Sequence, residues 1–281
     1  MSAPADDSNL AVFCDFENVA LGVREAKYPS FDIKNVLERL LVKGSIVVRK
    51  AYCDWDRYKE FKVAMHEAAF ELIEIPHVRQ SGKNSADIRM VVDALDLCYT
   101  KPHVDTFVVI SGDSDFSPLV AKLRENNKVV IGVGVKNSTS DLLTAACDEF
   151  IYYDDLVRAQ ARTRTRRAPR PAKAAEAKAG AAPAIAPTPK SGEDERRQEG
   201  IDLVMETIEA LQDERGEQER IWGSQVKQAL KRRRPGFRES YHGFRSFAAL
   251  LEDAQRRGLM KLQHDDRSGG YVIQLVSSPK D

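Results

Sequence analysis

The chain runs to 281 residues, 42% of them hydrophobic, and its 43 basic and 43 acidic side chains cancel. At roughly 150 residues per domain this length allows two domains, or one with a long tail, and the apolar content excludes wholesale disorder. The longest apolar runs, such as Phe107-Val108-Val109-Ile110, are far too short for a membrane helix, and MSAPADDSNL at the start has no basic, apolar signal character.

The zero net charge hides a division. Residues 1–155 hold 18 basic and 25 acidic groups, residues 156–192 nine and one, and residues 193–281 16 and 17. Within the last part, residues 220–261 hold 11 basic and three acidic groups. An acidic body with two basic stretches implies parts with different tasks. Cys14, Cys53, Cys98 and Cys147 stand far apart without a C-x-x-C pair. That spacing is expected of free thiols in a reducing, cytoplasmic setting, not of a disulfide frame or a zinc site.

In chain order, residues 1–8 form a tail and residues 9–157 alternate strand and helix patterns. Ala11-Val12-Phe13-Cys14 opens the first strand, and Ile33, Val36, Leu37, Leu40 and Leu41 trace one helical face. Strand-like runs follow at residues 45–52, 71–75, 106–110, 128–135 and 150–153, with helices expected over 56–70, 86–99, 118–126 and 141–147. Ser117-Pro118 reads as a helix cap followed by Pro at the first helical position. This alternation predicts an α/β fold with a doubly wound, mainly parallel sheet. Residues 158–196, rich in Ala, Pro, Arg and Lys, have almost no large apolar side chain and read as a basic, flexible linker. In residues 197–278, three helical patterns precede two short strands: Ile201 to Leu211, a helix capped by Ser224, and Phe244 to Leu251 ended by Gly258. That order predicts a winged helix-turn-helix.

In an open α/β sheet, sites form beyond the carboxyl ends of the strands. Asp15, Glu17 and Asn18 leave the first strand, Asp113 and Asp115 leave the fourth, and Asp87 stands at the start of the third helix. Singly, each is an ordinary cap or turn residue. Together, Asp15, Asp87, Asp113 and Asp115 would repel one another unless a cation lay between them. With no His or Cys nearby, a hard ion such as Mg2+ or Mn2+ is expected.

FCDFENVA, SADIRMVVDAL and VVISGDSDFSPLV, in that order over residues 10–153, resemble the NYN family of the PIN-like ribonuclease superfamily. The resemblance implies metal-dependent RNA cleavage, with Asp15, Asp87, Asp113 and Asp115 as the acidic set and Asn18 as polar partner. Ser111 and Ser114 would orient substrate or water, and Asp54 and Asp93 match further acidic positions of the family. Asp93 lies about 240° round a helix from Asp87, which keeps it out of the inner group. Glu17 is a secondary candidate, and Lys83 and Arg79 could touch phosphate. GDSD also resembles a motif of haloacid dehalogenase-type phosphatases. Those require an Asp two residues after the nucleophile, where this chain has Glu17, and a lysine shortly before the late motif, where it has an apolar run.

Gly223-Ser224, Pro235-Gly236-Phe237, Tyr241-x-Gly243-Phe244-x-x-Phe247 and Tyr271-Val272-Ile273 resemble the LOTUS (OST-HTH) family. That family implies RNA binding or a protein partner. Lys231, Arg232, Arg233, Arg234, Arg238 and Arg245 are the expected phosphate contacts, and Phe237 and Tyr241 the expected base contacts. The whole reads as a metal-dependent ribonuclease with an RNA-binding module. The alternatives are a non-catalytic RNA-binding adaptor and, third, a phosphatase.

Overall fold

The computed structural model describes residues 8–75, 85–167, 191–216, 220–265 and 270–275. Lys83, Arg79 and the centre of the expected linker lie outside them. The chain divides into two compact units between Ala168 and Pro169.

The first unit begins with strand β1 (Ser8–Asp15) and helices α1 (Phe16–Glu25) and α2 (Ile33–Lys43). β2 (Gly44–Cys53), α3 (Lys59–Glu67), β3 (Glu71–Glu74) and α4 (Ser85–Thr100) follow. β4 (Thr106–Ile110), α5 (Ser117–Glu125), β5 (Val129–Gly134), α6 (Asp141–Ala146), β6 (Glu149–Tyr152) and α7 (Tyr153–Arg167) complete it. Six strands form one sheet in the order β3-β2-β1-β4-β5-β6, every neighbouring pair parallel.

The pleat explains the layers. Side chains alternate between faces along a strand, so Leu10, Val12 and Cys14 enter one core with residues of α1, α2 and α3. Ala11 and Phe13 enter the other, with Met90, Ala94, Leu119, Leu123 and Leu143 from α4, α5 and α6. A central strand covered on both faces is buried on both sides, as β1 is from Leu10 onward, which is why it reads as an unbroken apolar run instead of an alternation. The strand order reverses direction between β1 and β4, leaving a crevice at their carboxyl ends.

Three local expectations need correction. α1 starts directly after β1, because Asp15 ends the strand and caps the helix with no loop between. A 3-10 turn (Ser114–Phe116) runs straight into α5, so Ser117 is the first residue of that helix and not its cap. The expected linker is helical at both ends: α7 continues to Arg167, and the first helix of the second unit starts at Ser191. Residues 156–167 hold five arginines with Leu156, two alanines and Gln160, all good helix formers, and the next proline comes only at Pro169.

The second unit comprises α8 (Ser191–Arg215), β7 (Ile221–Trp222), α9 (Gly223–Arg233), α10 (Phe247–Arg256), β8 (Met260–Asp265) and β9 (Gly270–Leu275). Its sheet is antiparallel in the order β7-β9-β8. Ile201, Val204, Ile208, Leu211, Val226, Leu230, Leu250 and Ile273 are buried in its interior. α9 begins one residue before the expected Ser224 cap, and the Gln225 side chain accepts the Trp222 N–H at 3.1 Å. Gly258 follows α10 at φ +75°, a left-handed conformation that glycine adopts without strain. Among the described residues, no helix is long and apolar enough to cross a membrane.

Candidate active site

The junction of β1 and β4 is tied by side-chain hydrogen bonds. Asp15 is 7% exposed; its Oδ2 accepts from the Ser111 hydroxyl at 2.9 Å, and its Oδ1 from the Asn18 N–H at 3.4 Å. Ser111, fully buried, also accepts the Asp113 N–H at 3.2 Å, and Asn18 Oδ1 accepts the Gly112 N–H at 2.9 Å. The junction of β1 with α1 and the loop after β4 thus hold each other at two points. Gly112 was not singled out from sequence, yet a Cβ there would lie 2.3 Å from the Ser138 carbonyl oxygen. The 3-10 turn Lys136–Ser138, at the carboxyl end of β5, is therefore packed directly on the β4 loop. The serines and threonine of KNSTS, following a strand, were the signal that could have found it.

Asp113 is half-buried and Oδ1 accepts the Asp115 N–H at 3.0 Å, capping the turn that carries Ser114 and Asp115. Asp115 is exposed. The capping role and a place in the acidic group coexist in Asp113, because a carboxylate has lone pairs beyond the one used by the cap.

Electrostatics shows which carboxylates share the crevice. Burial, followed by the charge of Asp87, pushes the Asp15 carboxyl up to about 7. Asp113 adds to this, while the bonds from Ser111 and Asn18 oppose it. Burial, then Asp113, Asp115 and Glu17, pushes Asp87 up to about 6. Asp87 and Asp113 thus act on Asp15, and Asp113, Asp115 and, last, Glu17 act on Asp87. Glu17 pairs with Arg57 at 3.2 Å. Asp54 accepts the Asp56 N–H at 3.1 Å, a turn before α3, and no bond ties it to the group. Asp93 bonds to Tyr52 and Lys50 instead.

Among the described residues, no three His, Cys, Asp or Glu side chains are gathered closely enough to grip a metal ion. The chemistry of the donors nevertheless fits a hard divalent cation. All of them are oxygens, and burial followed by repulsion from neighbouring carboxylates raises Asp15 and Asp87, with no cationic side chain among the described residues opposing it.

The basic residues of the second unit divide between structure and surface. Arg233, 8% exposed at its side chain, pairs with Glu206 of α8 at 3.0 Å, which removes it from the phosphate contacts. Phe237, 8% exposed, stacks on His242 with ring centroids 5.1 Å apart. The base-contact expectation for Phe237 is thereby corrected: its hydrophobic ring completes the interior. Lys231, Arg234, Arg238 and Arg245 are exposed and Arg232 is half-buried. Tyr241 is 61% exposed, with the Arg196 guanidinium 5.5 Å from its ring centroid.

The NYN domain family model matches residues 9–154, just over half of the chain. The chain belongs to the NYN domain family. NYN domains fall within the PIN-like nuclease superfamily, and the parallel six-stranded sheet agrees with that fold. An uncharacterized protein of Methanocaldococcus jannaschii is 28% identical over 122 residues, 43% of this chain and 48% of that protein. The chain thus spans about half the length of the curated relative it matches. A crystal structure of a protein of unknown function from Vibrio parahaemolyticus is 28% identical with a TM-score of 0.48, covering 56% of this chain and 98% of that one.

Proposed function

We propose that the NYN unit is a divalent-metal-dependent ribonuclease whose site is the crevice at the ends of β1 and β4. The observation that carries this reading is the buried Asp15–Ser111–Asp113 arrangement, with Asn18 bonded across it to Gly112 and the charge of Asp87 pressing on Asp15. Asp15, Asp87, Asp113 and Asp115 would hold Mg2+ or Mn2+. When bound, such an ion supplies water activation and charge neutralisation at a phosphodiester. The chain's own contribution is placement. Ser111 orients Asp15, the turn at Ser114 aims Asp113 and Asp115, and Asn18 fixes the Gly112 backbone.

A phosphatase would use Glu17 as its acid, but that carboxylate is paired with Arg57. The adaptor reading draws on the open spacing of the carboxylates. One assay separates the three: purified chain and Asp113→Asn are incubated with labelled single-stranded and structured RNAs and a phosphate monoester, with Mn2+, Mg2+ or chelator. The ribonuclease cleaves RNA only with metal, and only with Asp113 present. An adaptor binds RNA without cutting it, and a phosphatase hydrolyses the monoester alone.

For the second unit we propose a winged helix of the LOTUS type that holds RNA. The order of α8, β7, α9, α10 and the β8–β9 hairpin supports it, as do the exposed Lys231, Arg234, Arg238, Arg245 and Tyr241. A protein partner is the alternative occupant, and it would show no salt-dependent binding of RNA.

A further inference from the structure

Asp15, Ser111 and Asp113 belong to the hydrogen-bonded junction of β1 and β4, whereas Asp87 arrives on α4. Whatever fixes α4 against the sheet therefore fixes the separation of the two groups of carboxylates. Met90, Ala94 and Cys98 bury one stripe of α4. Apolar contact of this kind resists separation, but it is non-directional and specifies sliding or rotation only weakly.

A directional contact comes from Asp93. Its Oδ2 accepts from the Tyr52 hydroxyl at 2.9 Å and from Lys50 Nζ at 3.2 Å, and its Oδ1 from Arg89 Nε at 3.0 Å. The Asp93 side chain is only 12% exposed. Burial pushes its carboxyl up, but the Tyr52 hydroxyl, Lys50 and Arg89 outweigh that and hold it below the usual carboxylate range. Tyr52 is fully buried and is the register partner of Asp15 across β1 and β2. The path from Asp15 to Asp87 is thus short: one cross-strand pairing, one rigid aromatic side chain, one charge-assisted hydrogen bond, and roughly 9 Å of helix.

We propose that Asp93 is a positioning residue of the active site: with Tyr52 and Lys50 it sets where α4 stands along the sheet, and so where Asp87 meets Asp15 and Asp113. The inference rests on the nuclease reading, which gives Asp87 its task. Asp93 takes no part in the chemistry. It acts through α4, as outer hydrogen-bond partners of metal-binding side chains commonly do.

The test uses the full chain and three variants. Tyr52→Phe removes one oxygen and keeps the ring in the core, and Asp93→Asn removes the charge. Tyr28→Phe is the control, since it also loses one hydroxyl bond, to Asp154 at 3.0 Å, away from α4. Mn2+ binding is followed by the spectroscopic signal of free Mn2+, the tightness of α4 by amide hydrogen exchange, and RNA cleavage as a function of Mn2+ concentration. Tyr52→Phe and Asp93→Asn are expected to weaken Mn2+ binding about tenfold or more and to speed exchange in α4. Cleavage is largely recovered at saturating Mn2+. Tyr28→Phe leaves all three as in wild type. If Asp93→Asn does not fold, Tyr52→Phe decides alone. Wild-type Mn2+ affinity in Tyr52→Phe, with or without faster exchange, overturns the positioning role. A wild-type chain that neither binds Mn2+ nor cleaves RNA overturns the nuclease reading, and the positioning role falls with it, before any variant is compared.

Discussion

The carboxylates of the first unit and the arginines of the second are both clusters of like charge, and the fold treats them in opposite ways. At the β1–β4 junction, backbone geometry gathers acidic groups into a crevice where burial and mutual repulsion raise Asp15 to about 7 and Asp87 to about 6. In α9, successive residues turn by about 100°, so Lys231, Arg232 and Arg233 in its last turn are spread around the axis, and Arg234 follows the helix end. Arg233 lands inward against Glu206 while Lys231 and Arg234 face solvent. A sheet concentrates charge from distant sequence positions, and a helix disperses charge from adjacent ones. Unrelieved charge marks a site better than a run of charged letters does.

The comparison is broken most severely at Asp15. Asp15→Asn keeps an acceptor for Ser111 but removes a charge, and metal-dependent RNA cleavage should fall by a factor on the order of 10³ or more, as for groups acting as a unit. Single-turnover cleavage of a labelled RNA at saturating Mn2+ measures it, and an unchanged rate would move the site elsewhere.

In the second unit the largest effect should be on stability. Phe237→Ala removes a buried ring stacked on His242, and loss of such a ring costs about 3–5 kcal/mol. Denaturant unfolding should show this loss. Weakened RNA binding with unchanged stability would return Phe237 to the surface.

The pH dependence sharpens the contrast further. In the folded chain Asp15 keeps its proton up to about 7, and Asp87 up to about 6, against 3.8 for an ordinary aspartate. The folded state binds more protons across that interval, so metal-free stability falls as pH rises from 3.8 toward 7 and is lowest above it. At ~1.4 kcal/mol per pKa unit the buried Asp15 contributes a few kcal/mol, and the half-exposed Asp87 less because solvent screens it. Melting in chelator at pH 5 and pH 8 should show the loss, and Asp15→Asn or added Mn2+ should diminish it. A first unit equally stable at both pH values would refute the charge accumulation.

The smallest effect concerns salt. Neutralising Arg234, Arg238 and Arg245 together should lower the log–log salt slope of RNA binding by about 2 units if all three touch phosphate. Arg233→Ala should leave the slope unchanged and lower the melting temperature. A slope that responds to Arg233 alone would reverse the division drawn here.

Much of this protein was legible before any coordinates. Apolar runs spaced by helical patterns point to a parallel α/β sheet, since parallel strands need crossover connections and these are usually helices. The strand-end rule then places Asp15 and Asp113 at one crevice. The motif FCDFENVA with SGDSDF pointed to the NYN family that the match over residues 9–154 shows. Helix α1 escaped because Asp15 serves two elements at once, and the helical ends of the expected linker escaped because composition reports the lack of a core more clearly than it reports propensity.

Only the tertiary structure decided which polar groups act together. The Ser111–Asp15 bond spans 96 residues of sequence, and Tyr52 to Asp93 spans 41. Hydrogen bonds and desolvation depend on distances of a few ångströms, and local sequence constrains those only within an element. The unbroken apolar run of β1 could be read directly from the sequence. The burial of Arg233, the stacking of Phe237 and the anchoring of α4 through Asp93 depend on what a neighbouring element presents, and that is settled when the elements pack.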